Sequence, residues 1–171
     1  MSSPTPFDPN RILVELARQG VDYVVIGGIA AALHGSPSAT FDLDVCYSRE
    51  QANLVRLTAA LRELNARLRV ARGHSPLPFR LDPRTLRAGD SFTFDTDAGA
   101  LDILGTPAGS AGYADLAATA IPMDLGGLTA LVASLDSLIA MKLAAGRPKD
   151  RAEVEILYAL REEIEATRSV E

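Results

Sequence analysis

Residues 24–45 read VVIGGIAAALHGSPSATFDLDV, and the fold is decided in this stretch. Val24-Val25-Ile26 is a short apolar run that ends at Gly27-Gly28, the pattern of a buried strand stopped by a tight turn. Residues 29–34, IAAALH, open a helix. Residues 35–40, GSPSAT, are a polar loop rich in turn formers. Residues 41–47, FDLDVCY, alternate and predict a second strand. Side chains at i and i+2 of a strand share a face. Asp42 and Asp44 therefore project together, while Leu43 and Val45 point the other way into a core.

Two carboxylates on one face repel each other unless a cation lies between them. A hard divalent ion with oxygen ligands answers that need. A third acid stands downstream in Leu101-Asp102-Ile103-Leu104, again flanked by apolar residues as a strand would place it. Three such carboxylates can hold two metal ions, an arrangement that stabilises both the attacking and the leaving oxygen in displacement at phosphorus. The diglycine suits the same chemistry. Glycines at a strand-to-helix turn let backbone N–H groups approach a phosphate closely. The plain alternatives are a tight βα turn for the glycines and surface or capping roles for each aspartate.

Working outward, Asp8 and Pro9 fit the N-cap and first position of a helix, Phe7 and Ile12 a hydrophobic staple, and Gly20 its C′ residue. Ser48 with Gln51 reads as a capping box that opens a helix to about residue 65. Residues 71–90 carry three prolines and two glycines and read as an irregular loop. SFTFDT and ALDILG form a hairpin around residues 97–99, and a helical turn is expected near 113–118. IPMDL and LTALV flank Gly126-Gly127 as a second hairpin. Ser134 caps a helix that Gly146 and Pro148 stop, and a last helix starts near Asp150. Strands crowd the middle and helices the end, so the class is α+β, with a small mixed β-sheet flanked by helices. Residues 1–134 are expected to form a catalytic core and 135–171 a C-terminal helical lobe.

Composition narrows the function classes. The chain has 171 residues, 47% of them apolar and 23% charged, with a net charge of −5. It has no apolar run long enough to cross a membrane. MSSPTPFDPN lacks the basic and apolar regions of a signal peptide. The single cysteine, Cys46, suits a reducing cytoplasm and reads as a small core residue. Two histidines and one cysteine do not make a zinc cluster. No nucleophile elbow supports hydrolase chemistry. His34 reads as a structural histidine or a substrate contact. Charge is uneven: Arg56, Arg62, Arg67, Arg69, Arg72, Arg80, Arg84 and Arg87 face only Glu63 and Asp82 in their segment. That segment is either a surface for an anionic partner or a solvated helix face with an arginine-bearing loop.

The stretch VVIGGIAAALHGSPSATFDLDV resembles the signature of the DNA polymerase β-like nucleotidyltransferase superfamily: apolar residues, Gly-Gly, a spacer, then Asp-x-Asp. Residues 134–157, SLDSLIAMKLAAGRPKDRAEVEIL, are similar to the C-terminal block of the minimal nucleotidyltransferases and the AbiEii-type toxin nucleotidyltransferases of toxin–antitoxin systems. With Tyr113–Leu116 and the LDIL strand, the resemblance spans roughly residues 21–160.

The resemblance implies a nucleotidyltransferase fold, an NTP such as ATP as substrate, and Mg²⁺ or Mn²⁺ as metal. It makes Asp42, Asp44 and Asp102 the metal ligands, with Asp102 also activating the acceptor hydroxyl. Gly27 and Gly28 become the phosphate-cradling turn, with Ser36, Ser38 and Thr40 on the loop beside it. Lys142 matches a helix lysine that approaches the triphosphate, and Asp150 an acid that positions that region. Arg147 and Lys149 are further candidate phosphate contacts. Read without the family, Lys142 is also a solvated helix residue, and Asp150 an N-cap with Glu153 as its box partner. Relatives often carry an arginine where this chain has Ser38, so one expected cation is missing. The implied acceptor is RNA, first the 3′ end of tRNA, in a toxin encoded beside its antitoxin. The alternatives are an antitoxin that adenylylates a partner protein, an aminoglycoside nucleotidyltransferase, and a non-catalytic partner-binding domain.

Overall fold

A computed structural model describes residues 3–71, 73–75 and 78–170. Fourteen elements appear among them in the order α1 (Pro9–Arg18), β1 (Tyr23–Ile26), α2 (Gly27–Leu33), β2 (Asp42–Tyr47), α3 (Gln51–Glu63), β3 (Arg67–Leu68), α4 (Pro83–Ala88), β4 (Ser91–Thr96), β5 (Gly99–Leu104), α5 (Tyr113–Thr119), β6 (Ile121–Asp124), β7 (Thr129–Val132), α6 (Leu135–Ala145) and α7 (Pro148–Arg168).

The start of α1 follows the local code. Asp8 accepts a hydrogen bond from the Arg11 N–H at 3.1 Å, and Pro9 needs no donor partner at the first position. Ile12, Leu13 and Leu16 are its buried stripe. The same Asp-Pro device recurs where an irregular loop is expected: Asp82 accepts from the Thr85 N–H at 2.8 Å and starts α4 at Pro83. Leu86 anchors that short helix in the core.

The expected capping box at Ser48 does not form. Glu50 occupies the N-cap of α3, and the Ser48 hydroxyl instead accepts from the Glu50 N–H at 3.4 Å. Asn53 explains the shift. Its amide bonds the Ser48 carbonyl at 2.8 Å and both backbone groups of Asp22, which fixes the entry to α3 from inside the core. The last helix begins two residues before Asp150, at Pro148, because a proline at the first helical position is compatible with the helix.

All seven strands form one mixed sheet in the order β3-β4-β5-β2-β1-β7-β6. β2 is central. It runs antiparallel to β1 and parallel to β5, with Asp44 opposite Ile26 on one side and opposite Asp102 on the other. Both expected hairpins form, β4–β5 and β6–β7. Leu43, Val45, Phe94, Leu101 and Ile103 share the buried face and join one core with Leu54, Leu57 and Leu61 of α3. Burying such side chains stabilises the fold by about 1.5–3 kcal/mol each. Asp42, Asp44 and Asp102 alternate with them, and so are displayed on the opposite face, half-buried.

Candidate active site

Register assembles the acidic cluster. Asp44 and Asp102 are direct partners across the parallel β2–β5 pair, and Asp42 lies two residues back on the same face of β2. One carboxylate oxygen from each of the three lies within 4.8 Å of the others. Burial pushes the Asp44 carboxyl up to about 7, and the charges of Asp42 and Asp102 push in the same direction. Asp102 is raised mainly by burial as well. One of its oxygens, Oδ1, is buried without a hydrogen-bond partner. Three crowded carboxylates with an unsatisfied buried oxygen among them form a donor set that fits a hard divalent cation.

The glycines serve this cluster directly. Gly27 has φ +67°, where side chains are strained, and a Cβ there would lie 2.9 Å from Asp44 Cγ. A Cβ on Gly28 would lie 2.8 Å from Thr40 Cβ and Oγ1. The diglycine thus makes room for the carboxyl of Asp44 and for the threonine that ends the loop. Thr40 donates its hydroxyl to Asp42 Oδ1 at 3.2 Å and is at the same distance from the Asp42 carbonyl.

The cluster lies in a cavity of about 660 Å³, large enough for a nucleotide. Gly27, Gly28, Ser36, Ser38 and Thr40 line it on the α2 side, and Lys142, Arg147 and Lys149 on the side of α6 and α7. The exposed ring of Phe41 stands beside the acids. Asp150 is not a lining residue. Its side chain is 2% exposed, and it accepts from the Arg147 backbone N–H at 3.1 Å and from Arg147 Nε at 2.9 Å, with Lys142 Nζ at 3.4 Å. It is therefore the third helical residue of α7, bonding back to the N-cap, and not an N-cap itself. Those bonds, led by Arg147, hold its carboxyl below the usual range. Glu153, expected as its box partner, instead pairs with Lys142 and also lines the cavity.

His34 is fixed by a ring-nitrogen contact to the Ala133 carbonyl at 2.8 Å, a structural role. Cys46 is buried in the core. The arginine-rich segment is largely engaged with the protein itself. Arg56 pairs with Asp22, Arg67 with Asp97, Arg69 with Asp95 and Arg80 with Asp82, while Arg62 donates to the Leu81 carbonyl. Arg72 lies outside the described residues. Of the segment, Arg69 is the arginine that reaches the cavity among the described residues. Nothing in the sequence singled it out, because Arg69 falls just past β3, a strand of only two residues with no periodic signal.

The sequence matches no family model and no curated protein. Solved structures do match. A protein of Thermotoga maritima assigned as a nucleotidyltransferase shares 18% identity over 94% of this chain and 96% of its own, with a TM-score of 0.54. Lincosamide antibiotic adenylyltransferase LnuA, solved with lincomycin bound, shares 13% over 89% and 95%, with a TM-score of 0.58. ANT(2″)-Ia in complex with adenylyl-2″-tobramycin shares 17% over 95% and 93%, with a TM-score of 0.56. The chain has the nucleotidyltransferase fold. Within that fold, the acidic cluster stands where the chain's own register builds it, on the central strand pair of the sheet. Among the described residues no helix is long and apolar enough to cross a membrane.

Proposed function

We propose that this protein transfers a nucleoside monophosphate from an NTP, ATP first, to an acceptor hydroxyl and releases pyrophosphate. The observation that carries the reading is the convergence of Asp42, Asp44 and Asp102 within 4.8 Å beside a cation-bearing cavity. Asp42, Asp44 and Asp102 would hold Mg²⁺ or Mn²⁺, which when bound neutralises charge on the reacting phosphate. Asp102 takes the proton of the acceptor hydroxyl as its oxygen bonds to the α-phosphorus. The bond from that phosphorus to the bridging oxygen breaks, and pyrophosphate carries away the electron pair. Lys142, Arg147 and Lys149 offset charge on the triphosphate, while Gly27, Gly28, Ser36, Ser38 and Thr40 approach it closely. Asp150 acts through others: it fixes Lys142 and Arg147. Residues 1–134 form the catalytic core, and the lobe of residues 135–171 closes the NTP side.

For the acceptor, the sequence resemblance favours RNA, the 3′ end of tRNA, in a cytoplasmic toxin with an antitoxin encoded nearby. A second reading, a small-molecule hydroxyl, is favoured by a specific observation: five of the eight arginines in the segment that could face an anionic partner are already engaged within the protein. LnuA and ANT(2″)-Ia, with lincomycin and adenylyl-2″-tobramycin bound, lend it support.

The deciding experiment incubates the protein with each labelled NTP, Mg²⁺, and total tRNA, tobramycin, lincomycin or a co-purified partner protein. Label that enters tRNA and is lost in Asp44→Asn supports the toxin reading. Label in a drug or in protein moves the acceptor accordingly. No label in any acceptor, together with no NTP binding, overturns the catalytic reading in favour of a partner-binding domain.

A further inference from the structure

The guanidinium of Arg69 stands beside the carboxylate of Asp102, and three hydrogen bonds, one of them from its backbone, hold the residue there. The Arg69 backbone N–H bonds the Thr93 carbonyl at 2.9 Å, extending the β3–β4 pairing. Its Nε donates to Asp95 Oδ1 at 3.1 Å and its terminal NH2 to the Phe94 carbonyl at 3.1 Å. That same NH2 group lies 3.5 Å from Asp102 Oδ1, the oxygen that is buried without a hydrogen-bond partner. Asp102 is opposite Thr93 across β4–β5, so Asp102, Thr93 and Arg69 form one row that runs across β5 and β4 to the residue just after β3.

Two consequences follow from this row. The guanidinium is anchored by groups outside the acidic cluster, so it does not need Asp102 to stay in place. It also approaches Oδ1 without hydrogen-bond geometry, and so leaves the lone pairs of that oxygen available while placing a fixed positive charge next to them. Any cation that binds Oδ1 shares it with that charge. Coulomb repulsion at such separations is not small, even where water screens part of it.

We propose that Arg69 is a positioning residue for metal loading, a built-in counter-ion of Asp102 that keeps divalent-ion affinity on that carboxylate low until a nucleotide brings compensating negative charge. It relieves repulsion among the three acids in the empty protein, and it ties occupancy of the Asp102 side to the presence of the triphosphate. This rests on the three acids being a metal site, as in the proposed function, but not on any particular acceptor.

The test is a titration of metal-stripped protein with Mn²⁺, read by electron paramagnetic resonance, first without nucleotide. Arg69→Gln is expected to bind Mn²⁺ on the order of tenfold more tightly than wild type, and Arg69→Met to change in the same direction. Arg69→Lys, which keeps the charge, stays near the wild-type value. With a non-hydrolysable NTP analogue present, the gap between wild type and Arg69→Gln closes. Thermal melting checks that each variant is folded. Equal or weaker Mn²⁺ binding in folded Arg69→Gln or Arg69→Met overturns the proposal, and so does a gap that persists with the analogue. Wild-type protein that binds Mn²⁺ but transfers no nucleotide overturns the proposed function alone. Wild-type protein that binds no Mn²⁺ even with the analogue present overturns both.

Discussion

The carboxyl of Asp44 packs against the bare Cα of Gly27: a Cβ on residue 27 would stand 2.9 Å from Asp44 Cγ and closer still to Oδ2. The contact links the turn after β1 to the centre of the acidic cluster. In Gly27→Ala the side chain of Asp44 has to rotate away, and the backbone is strained at φ +67°. The strain costs about 1–2 kcal/mol. Metal binding should suffer more than stability, because the displaced group is one of the three proposed ligands. The expected result is a modest drop in melting temperature with at least tenfold weaker Mn²⁺ binding. Unchanged Mn²⁺ affinity would detach the diglycine from the site.

Stability of the metal-free protein should fall with rising pH. The Asp44 carboxyl is raised from the usual 3.8 to about 7, by burial first and then by Asp42 and Asp102. A raised carboxylate binds its proton more tightly when folded than when unfolded. Its contribution is therefore present at low pH and is lost as pH rises from about 4 through about 7. Asp102 acts in the same direction. Melting curves of chelator-treated protein across that window, compared with Asp44→Asn, measure the effect. The variant should show the flatter profile and, near neutral pH, the higher melting temperature. A steeper profile in the variant would contradict the assignment.

Asp150 and Lys142 should separate structure from substrate binding. Asp150→Ala removes a buried carboxylate that holds Lys142, Arg147 and the first turn of α7. A loss of about 2–3 kcal/mol is expected, below that of a fully buried pair because Arg147 is half-exposed. Denaturant unfolding would show it. Lys142→Met leaves the turn bonded through Arg147, so it should mainly raise KM for the NTP, by about tenfold, with little change in unfolding. Equal stability losses in the two variants would place Lys142 in the scaffold instead.

Negative charge on the loop before β2 should silence transfer. Ser36, Ser38 and Thr40 line the cavity, and the Thr40 hydroxyl bonds Asp42. In the Ser38→Glu, Thr40→Glu double variant, two carboxylates compete with the triphosphate for the same space and cations. Activity at the wild-type level in a nucleotide-transfer assay would show that the substrate keeps clear of this loop.

Much of this arrangement is legible in residues 24–45, because a strand's two-residue period by itself dictates that Asp42 and Asp44 share a face. The contribution of Asp102 is legible only as a strand acid with apolar neighbours; that it meets Asp44 depends on strand order, which local patterns do not encode. Arg69 escapes for the same reason: it follows a two-residue strand that has no period, and its importance comes entirely from the row it joins. Asp82-Pro83 was readable, since it repeats the Asp8-Pro9 signal, but the surrounding prolines and glycines mask a helix of only six residues. Ser48 misleads because a buried amide from Asn53 outweighs a local cap. The arginine-rich segment looks like one surface when counted along the chain, but partners distant in sequence engage Arg56, Arg62, Arg67 and Arg69.

The parallel pairing of β2 with β5 brings together residues 44 and 102 from remote parts of the chain. No partly folded form lacking that pairing can present the full ligand set, so an ion that needs all three acids binds only the finished sheet. Such an ion acts as a staple across the middle of the molecule, and raising its concentration should shift the unfolding midpoint upward by mass action. Chelation would then loosen the same central seam on which the chemistry depends.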